Sequence, residues 1–203
     1  MSASAIVLAG GRSRRFGADK LAVDVAGEPL LHHAVRTTAG VCDEVLVVGA
    51  PSGLPVVLPG GLASVPVVVL DVDAYQGPLV ALVDAAASAS RDRLLVVGGD
   101  MPDLVPAVLR RVLDWDEAHE GVCLMHDEWV QPFPMGLDRA AALARGTQLV
   151  ESEERSLRSL ITSLAIERLS EAEWRVLDPA AMTLHDIDRP EDLVPSPSPR
   201  TGH

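Results

Sequence analysis

Short apolar runs alternate with longer segments of helical spacing through the first half of the chain. Between them lie segments such as Pro29 to Ala39, where apolar residues recur at helical intervals up to Gly40. This alternation predicts buried parallel strands that are connected by helices, which is an α/β arrangement. The predicted strands are Ala5 to Ala9, Glu44 to Val48, Val67 to Leu70 and Arg93 to Val97.

The second half of the chain has a different pattern. Two extended runs, Gly121 to His126 and Trp129 to Leu137, flank a polar Asp127-Glu128 turn and predict a strand pair. Proline inside the second run favours an edge position in the sheet. A short helix from Asp138 to Arg145 that ends at Gly146, a helical segment around Arg155 to Leu164, and a late strand from Ala165 to Ser170 are also expected.

Length and composition limit the classes of protein. A chain of 203 residues suits one α/β domain, which we expect to span residues 1–194, before a flexible Pro/Ser-rich tail at 195–203. The formal net charge of −12 argues against nucleic-acid binding. Cys42 and Cys123 form no CxxC pair, and neither a signal peptide nor a membrane segment is recognisable. We therefore expect a cytoplasmic protein, a monomer or a weak homo-oligomer, that binds neither membranes nor nucleic acid.

The residues from Ala5 to Lys20 combine a strand, a Gly10-Gly11 turn and a basic loop. Glycines let backbone N–H groups surround an anion, and Arg12, Arg14, Arg15 and Lys20 add positive charge. A Walker A loop is excluded because Gly11 and Gly17 enclose five residues and Lys20 comes three residues later. The dinucleotide fingerprint is excluded because Gly10 and Gly11 are adjacent. A different kind of nucleotide phosphate loop is therefore predicted.

The composition of the chain sets Lys20 apart. All 17 lysine and arginine residues but one are arginine, so Lys20 is the only lysine of the chain. Lysine and arginine are not equivalent at a tight phosphate site, because the ammonium is compact and the guanidinium is planar. We therefore expect Lys20 to contact phosphate.

Carboxylates follow several of the predicted strands. Asp71 and Asp73 come after Val67 to Leu70, and Asp100 follows the next strand within Gly98-Gly99-Asp100-Met101-Pro102. Ligands of open α/β sheets collect at the carboxyl ends of strands, and Mg²⁺ takes one or two carboxylates beside substrate phosphates. Asp100 is thus the expected Mg²⁺ ligand, and Asp103 is available to cap the helix that runs on to Leu113.

The loop sequence LAGG-x-S-x-R-x-G-x-D-K resembles the signature of the molybdenum cofactor guanylyltransferases. The resemblance implies a single-domain, three-layer, Rossmann-like nucleotidyltransferase fold with a mostly parallel central sheet. It also implies Mg²⁺-dependent transfer of GMP from GTP to the phosphate of molybdopterin, with release of pyrophosphate. The residues that match are Leu8, Ala9, Gly10, Gly11, Ser13, Arg15, Gly17, Asp19 and Lys20.

The resemblance also implies roles for individual residues. Catalysis falls to Arg15, Lys20 and Asp100, and the metal to Asp100 with Asp186 or Asp188. The implied nucleotide-binding residues are Leu8, Ala9, Gly10, Gly11, Lys20, Asp71, Gly77, Pro78, Leu79 and Asp100, with Asp73 as the alternative to Asp71. The step Gln131-Pro132-Phe133 resembles the acceptor side of the family. Arg155 and Arg158 correspond to basic residues that face the acceptor phosphate, or they pair with neighbouring glutamates on the surface.

Two departures from the family pattern leave alternatives open. Many guanylyltransferases have asparagine where this chain has Asp186 and Asp188, and some relatives have asparagine at the position of Gly49. The base specificity is therefore open. The alternatives are a cytidylyltransferase or another nucleoside triphosphate transferase with a different phosphorylated acceptor, and a nucleotide-binding regulator without turnover.

Overall fold

The computed structural model describes residues 2–10, 19–70 and 76–193. Its strands are β1 (Ala3–Leu8), β2 (Asp24–Val25), β3 (Glu28–Pro29), β4 (Glu44–Gly49), β5 (Val67–Leu70), β6 (Arg93–Gly98), β7 (Gly121–His126), β8 (Trp129–Asp138) and β9 (Ile166–Leu169). Its α-helices are α1 (Leu30–Ala39), α2 (Pro78–Ser88), α3 (Pro106–Val112), α4 (Arg139–Glu151), α5 (Leu157–Ser163) and α6 (Glu171–Trp174). Short 3₁₀ turns lie at Lys20–Ala22, Met182–Leu184 and Pro190–Leu193.

The central sheet has the strand order β5-β4-β1-β6-β8-β7-β9. Strands β5, β4, β1 and β6 are mutually parallel, β8 runs antiparallel to both of its neighbours, and β9 is parallel to β7. Strands β2 and β3 form a separate two-stranded pair. The expected α/β fold with a mostly parallel sheet is confirmed.

Helices cover both faces of the sheet, because alternate residues of each buried strand point to opposite sides. On one face Val7 packs in a core that includes residues of α1, α3 and α6. On the other face Ile6 packs in a core that includes residues of α2, α4 and α5. The three layers expected from the sequence are therefore present. None of the helices in the described ranges is both long and apolar enough to cross a membrane.

The register brings three strand ends to one place. Leu8, at the end of β1, lies opposite Val48 of β4 on one side and Gly98 of β6 on the other. Because these strands are parallel, the loops that follow them leave the same edge of the sheet. The candidate site is built at this edge.

Two predictions about individual strands were wrong. Val67 to Leu70 was expected to be buried, but β5 lies at the edge of the sheet that the described strands form, and Val67 and Leu70 are 53% and 47% exposed. The proline-containing strand β8 is internal instead of lying at an edge. Its prolines are tolerated because β6 pairs only with Met135 to Asp138, and the register against β7 shifts where Pro132 and Pro134 lie.

Two helix boundaries also differ from the predictions. Helix α3 begins only at Pro106, after Val105, so Asp103 does not cap it. Helix α4 continues through Gly146 to Glu151. A Cβ at position 146 would lie 2.6 Å from a methyl group of Val83, so this glycine permits close approach of α2 and does not end the helix.

Candidate active site

The end of β1 lies between the ends of its two neighbours. The Ala9 N–H donates to the Val48 carbonyl at 2.9 Å, and the Gly99 N–H donates to the Leu8 carbonyl at 3.0 Å. A Cβ at Gly99 would lie 3.0 Å from the Leu31 side chain and 3.3 Å from the Leu8 carbonyl oxygen, which explains the glycine. Leu8, Ala9 and Gly10 are thus at the expected sheet edge. Gly11 and Arg15, also expected in this loop, lie outside the described residues.

Lys20 begins a 3₁₀ turn that holds it at the same edge. The Asp19 carboxylate accepts a hydrogen bond from the Leu21 N–H at 3.2 Å, and the Leu21 side chain is buried. The Lys20 ammonium donates to Asp100 Oδ2 at 2.6 Å and to Asp188 Oδ1 at 2.9 Å. Partial burial lowers the pKa of Lys20, but the two carboxylates outweigh that effect and the net shift is upward. Lys20 is therefore a firmly protonated cation at neutral pH.

Asp100 is positioned by the glycine pair that follows β6. Gly98 and Gly99 are buried, and a Cβ at Gly98 would lie 2.5 Å from Asp100 Oδ1. A side chain at this position would displace the carboxylate, so the glycine makes room for it. The expected carboxylate at this strand end is therefore present beside Lys20.

Asp186 and Asp188 arrive from the last described segment of the chain. The Ile187 N–H donates to the Asp100 carbonyl at 3.0 Å, which brings both residues to the end of β6. Partial desolvation, and then the negative charges of Asp188 and Asp100, raise the pKa of Asp186. Asp186 is nevertheless an exposed residue. Sequence positions 168 residues apart, Lys20 and Asp188, thus meet in one ion pair.

An open cavity of about 160 Å³ adjoins these carboxylates. It lies between the end of β6, the irregular part of β8 and the segment that carries Asp186. Its lining residues are Asp100, Met101, Gln131, Pro132, Phe133, Leu184 and Asp186. The step from Gln131 to Phe133, which was expected on the acceptor side, lines this cavity. Met101 and Leu184 also line it, and the sequence did not predict this.

Comparison with known proteins assigns this chain to a family. The family model of the MobA-like NTP transferase domain matches residues 5–169, which include the β1 loop, Lys20 and Asp100. The chain belongs to this family. It is 32% identical to a probable molybdenum cofactor guanylyltransferase from Chloroflexus aggregans, over 95% of this chain and 92% of the relative. A relative with the same description from Pelotomaculum thermopropionicum is 29% identical, over 96% and 91% of the two chains.

Solved structures share the fold at lower identity. Molybdopterin-guanine dinucleotide biosynthesis protein A from Archaeoglobus fulgidus superposes with a TM-score of 0.73 at 17% identity, and 94% of each chain is covered. A 4-diphosphocytidyl-2C-methyl-D-erythritol synthase from Anaerococcus prevotii reaches 0.68 at 13% identity, over 95% of this chain and 94% of the other. The MobA-like chain therefore shares its fold with proteins whose names indicate different substrates.

The turn Gly77-Pro78-Leu79 of this MobA-like domain packs against the segment before α5. Gly77 has φ +112°, and a Cβ there would lie 2.9 Å from the Arg155 Cβ. The Leu79 N–H donates to the Arg155 carbonyl at 3.3 Å, and the Leu79 side chain is fully buried. Leu79 thus packs in the core of this face, and its part in nucleotide binding stays a prediction. Asp71 and Asp73, expected in the same pocket, lie outside the described residues.

Arg155 and Arg158 were expected either near the acceptor phosphate or in pairs with neighbouring glutamates, and the structure gives each of them a local contact. The Arg155 guanidinium donates to the carbonyls of Val150 and Glu154 at 2.9 and 2.8 Å. The Arg158 guanidinium carbon lies 6.0 Å from the ring centre of Trp129, which is 65% exposed. Arg155 therefore supports the local backbone in this structure, and Arg158 borders an exposed aromatic side chain.

The carboxylates of the site fit a hard divalent cation. Asp100, Asp186 and Asp188 offer carboxylate oxygens, the ligands that Mg²⁺ takes, and within the described residues these three carboxylates lie near the Lys20 ammonium. Their oxygen atoms do not all lie within 4.8 Å of one another, so the carboxylates are gathered around Lys20 and not around one metal position.

A second cluster of possible ligands lies away from this edge, at the turn between β7 and β8. Among the described residues, His126, Asp127 and Glu171 form the group whose potential ligand atoms lie within 4.8 Å of one another. Glu171 already accepts hydrogen bonds from the Asp127 N–H at 2.8 Å and from Arg175 Nε at 2.9 Å. The cluster is therefore explained by hydrogen bonds that join the turn to α6.

Proposed function

We propose that the protein transfers GMP from GTP to the phosphate of a molybdopterin cofactor and releases pyrophosphate. The observation that carries the proposal is the convergence of Lys20, Asp100 and Asp188 at the sheet edge where β1 and β6 end. Membership of the MobA-like NTP transferase family supports the reaction class. The names of the curated relatives support the base and the acceptor.

Nucleotidyl transfer is a substitution at phosphorus. An oxygen of the acceptor phosphate attacks the α-phosphorus of GTP, and the bond from that phosphorus to the bridging oxygen of the β-phosphate breaks. The electron pair leaves with pyrophosphate, so no covalent enzyme intermediate is needed. Lys20 stabilises the negative charge that builds up on the phosphates, and Arg15 is expected to share this role. Positioning the acceptor in line supplies much of the remaining rate gain.

Asp100, with Asp186 or Asp188, would hold Mg²⁺ at this edge. When bound, the metal supplies charge neutralisation on the phosphate oxygens and orients the triphosphate. Two of these carboxylates, Asp100 and Asp188, also accept hydrogen bonds from the Lys20 ammonium. Mg²⁺ dependence is therefore part of the proposal.

Nucleophilic catalysis by cysteine is disfavoured by the surroundings of both thiols. Burial raises the pKa of Cys42 to about 12 and that of Cys123 to about 12. The thiolate is the reactive form, so both cysteines are inert at neutral pH. This supports direct attack of one phosphate on the other.

The cavity beside Asp100 is the proposed place of the acceptor. Gln131 offers an amide, Met101 and Phe133 offer apolar surface, and Asp186 borders the cavity toward the metal-binding edge. A volume of about 160 Å³ admits part of a small molecule, while the open side leaves room for the rest.

The nucleotide specificity in this proposal can be tested by calorimetry. Binding of GTP, CTP, ATP and UTP is measured in the presence of Mg²⁺, for the wild type and for Lys20→Ala. We expect selective binding of GTP by the wild type and loss of this binding in the variant. Pyrophosphate release in the presence of molybdopterin then separates an enzyme from a nucleotide-binding regulator.

The outcomes separate the alternatives. Preference for CTP would replace the guanylyl reaction by the cytidylyl reaction, and binding without pyrophosphate release would contradict the enzyme assignment. Omission of Mg²⁺ in the same assay tests the metal requirement. The cytoplasmic location and the monomeric or weakly oligomeric state stay predictions.

A further inference from the structure

The segment that carries Asp186 and Asp188 is tied to the connection between β6 and α3 by three contacts, which we call the clasp. The Val105 N–H donates to Thr183 Oγ1 at 3.1 Å. His185 Nδ1 contacts Asp103 Oδ2 at 2.7 Å. The Ile187 N–H donates to the Asp100 carbonyl at 3.0 Å. The clasp therefore joins residues about 80 positions apart at the site.

A buried carboxylate supports the first contact of the clasp. Asp178 is 3% exposed and accepts hydrogen bonds from the backbone N–H groups of Met182 and Thr183, at 3.0 and 2.7 Å. Thr183 itself is fully buried. The protein would lose stability if these buried polar groups lost their hydrogen-bond partners. This end of the segment is therefore held firmly in place.

The residues of the clasp alternate with residues that reach the site. Leu184 and Asp186 line the cavity, and Asp188 accepts the hydrogen bond from Lys20. Thr183, His185 and Ile187 stand between or before them and make the anchoring contacts. The backbone after the 3₁₀ turn is extended at His185, which is the conformation that sends neighbouring side chains to opposite sides.

The pair of His185 and Asp103 differs from the other anchors because both side chains are solvent-accessible, 40% and 39% exposed. An ionised carboxylate only accepts hydrogen bonds, so His185 Nδ1 carries the proton and donates it. A pair so exposed contributes little to the stability of a fold. His185 lies directly between Leu184 and Asp186, both of which line the cavity.

We propose that His185 and Asp103 are positioning residues that hold Asp186 and Leu184 against the cavity and the metal-binding edge. This inference rests on the proposed function. It assigns a role to a side-chain pair for which the sequence had suggested helix capping by Asp103 alone.

The test compares His185→Ala, Asp103→Ala, the double variant and His185→Asn. Asparagine places its amide nitrogen near the position of Nδ1 and can still donate to Asp103. The matched control is His119→Ala, which breaks a similar contact, from His119 Nδ1 to Asp116 Oδ1 at 2.7 Å, in another loop. Mn²⁺ binding is measured by electron paramagnetic resonance in the presence of GTP, together with thermal unfolding and the KM for the acceptor.

We expect each alanine variant to weaken Mn²⁺ binding about tenfold, as is typical when support of a metal ligand is lost. The acceptor KM should rise, while the unfolding temperature stays close to that of the wild type and of the His119 variant. The double variant should be no worse than either single variant, because both remove the same contact. His185→Asn should restore most of the Mn²⁺ affinity.

Three results would overturn the inference. The first is that both His185→Ala and Asp103→Ala bind Mn²⁺ with wild-type affinity. The second is that His119→Ala weakens Mn²⁺ binding as much as these variants do. The third is that Asp103→Ala binds Mn²⁺ normally while His185→Asn fails to restore the Mn²⁺ affinity lost in His185→Ala. If the wild type binds neither GTP nor Mn²⁺, the proposed function fails and the inference fails with it. Normal binding by the wild type therefore distinguishes the two kinds of failure.

Discussion

Lys20→Met removes the ammonium from the site and keeps an apolar stem of similar length. In the wild type this ammonium donates to Asp100 at 2.6 Å and to Asp188 at 2.9 Å. The Lys20 and Asp100 side chains are 18% and 24% exposed, and that of Asp188 is 52% exposed. The variant thus removes the ammonium that Asp100 and Asp188 contact in the wild type.

The expected loss in the free energy of unfolding follows from this difference in exposure. A hydrogen bond between charged groups in partly buried surroundings contributes about 1.5 to 3 kcal/mol, whereas an exposed ion pair contributes at most about 1 kcal/mol. The Asp100 contact therefore dominates, and we expect the free energy of unfolding to fall by about 2 kcal/mol at pH 7. Loss of a preorganised charge at the phosphates should lower kcat by about 10² to 10³.

The pH dependence has a definite sign. Because the pKa of Lys20 is raised above its ordinary value of 10.5, its stabilising contribution is complete below pH 10.5. It is lost only as the pH rises through the higher value of the folded protein. The stability difference between wild type and Lys20→Met should therefore be independent of Lys20 titration from pH 7 to pH 10, and should shrink in stronger base.

The assay is urea unfolding at pH 7 with and without Mg²⁺, combined with steady-state kinetics. Mg²⁺ should restore part of the stability of Lys20→Met, because a divalent cation replaces the missing positive charge, but it should not restore kcat. Asp188→Asn is the control, since it keeps the contact between Lys20 and Asp100. Unchanged stability of Lys20→Met with no response to Mg²⁺ would refute the energetic reasoning, and an unchanged kcat would refute the catalytic role.

Three further predictions concern other parts of the site. Asp100→Asn should lower kcat by about 10² to 10³ and weaken Mn²⁺ binding, and loss of the charged contact with Lys20 should lower the free energy of unfolding by at most about 2 kcal/mol; normal turnover would contradict its role. Gly77→Ala should lower the free energy of unfolding by about 1 to 3 kcal/mol because of the positive φ and the crowding against Arg155, and should raise the KM for GTP. Gly60→Ala, where a Cβ meets open space, is the control in the same urea titration. Without metal, Asp186→Asn should stabilise the protein at pH 7, and the gain should disappear as the pH falls through the raised pKa toward 3.8; a constant difference across that range would contradict the shift.

Much of the fold was predictable because strands and turns leave local signals. The four parallel strands of the first half of the chain, the β7-β8 pair and β9 lie where apolar runs and polar turns predicted them. The carboxylate of Asp100 and the glycines before it are neighbours in sequence, so their arrangement follows from backbone geometry that any strand-to-loop transition shares. The family resemblance of the first loop depended on such local spacing as well.

Positions within the sheet were less predictable. The run Val67 to Leu70 is apolar throughout, as a buried strand would be, yet it lies at an edge because strand order is set by long-range pairing. Prolines in β8 suggested an edge, but the strand is internal and its prolines occupy the part that β6 does not reach. Periodicity records which residues avoid water locally, and it carries no information about which strand becomes the neighbour.

The sequence by itself therefore determined the class of fold, the glycine-rich turn with its single lysine, and the carboxylates available to a metal. Only the tertiary structure decided that Lys20 pairs with Asp100 and Asp188, and that His185 holds Asp103. These partners are 80 or more residues apart in sequence, so they meet only when the chain has folded. For that reason the chemistry of each residue was readable in advance, whereas its partner was not.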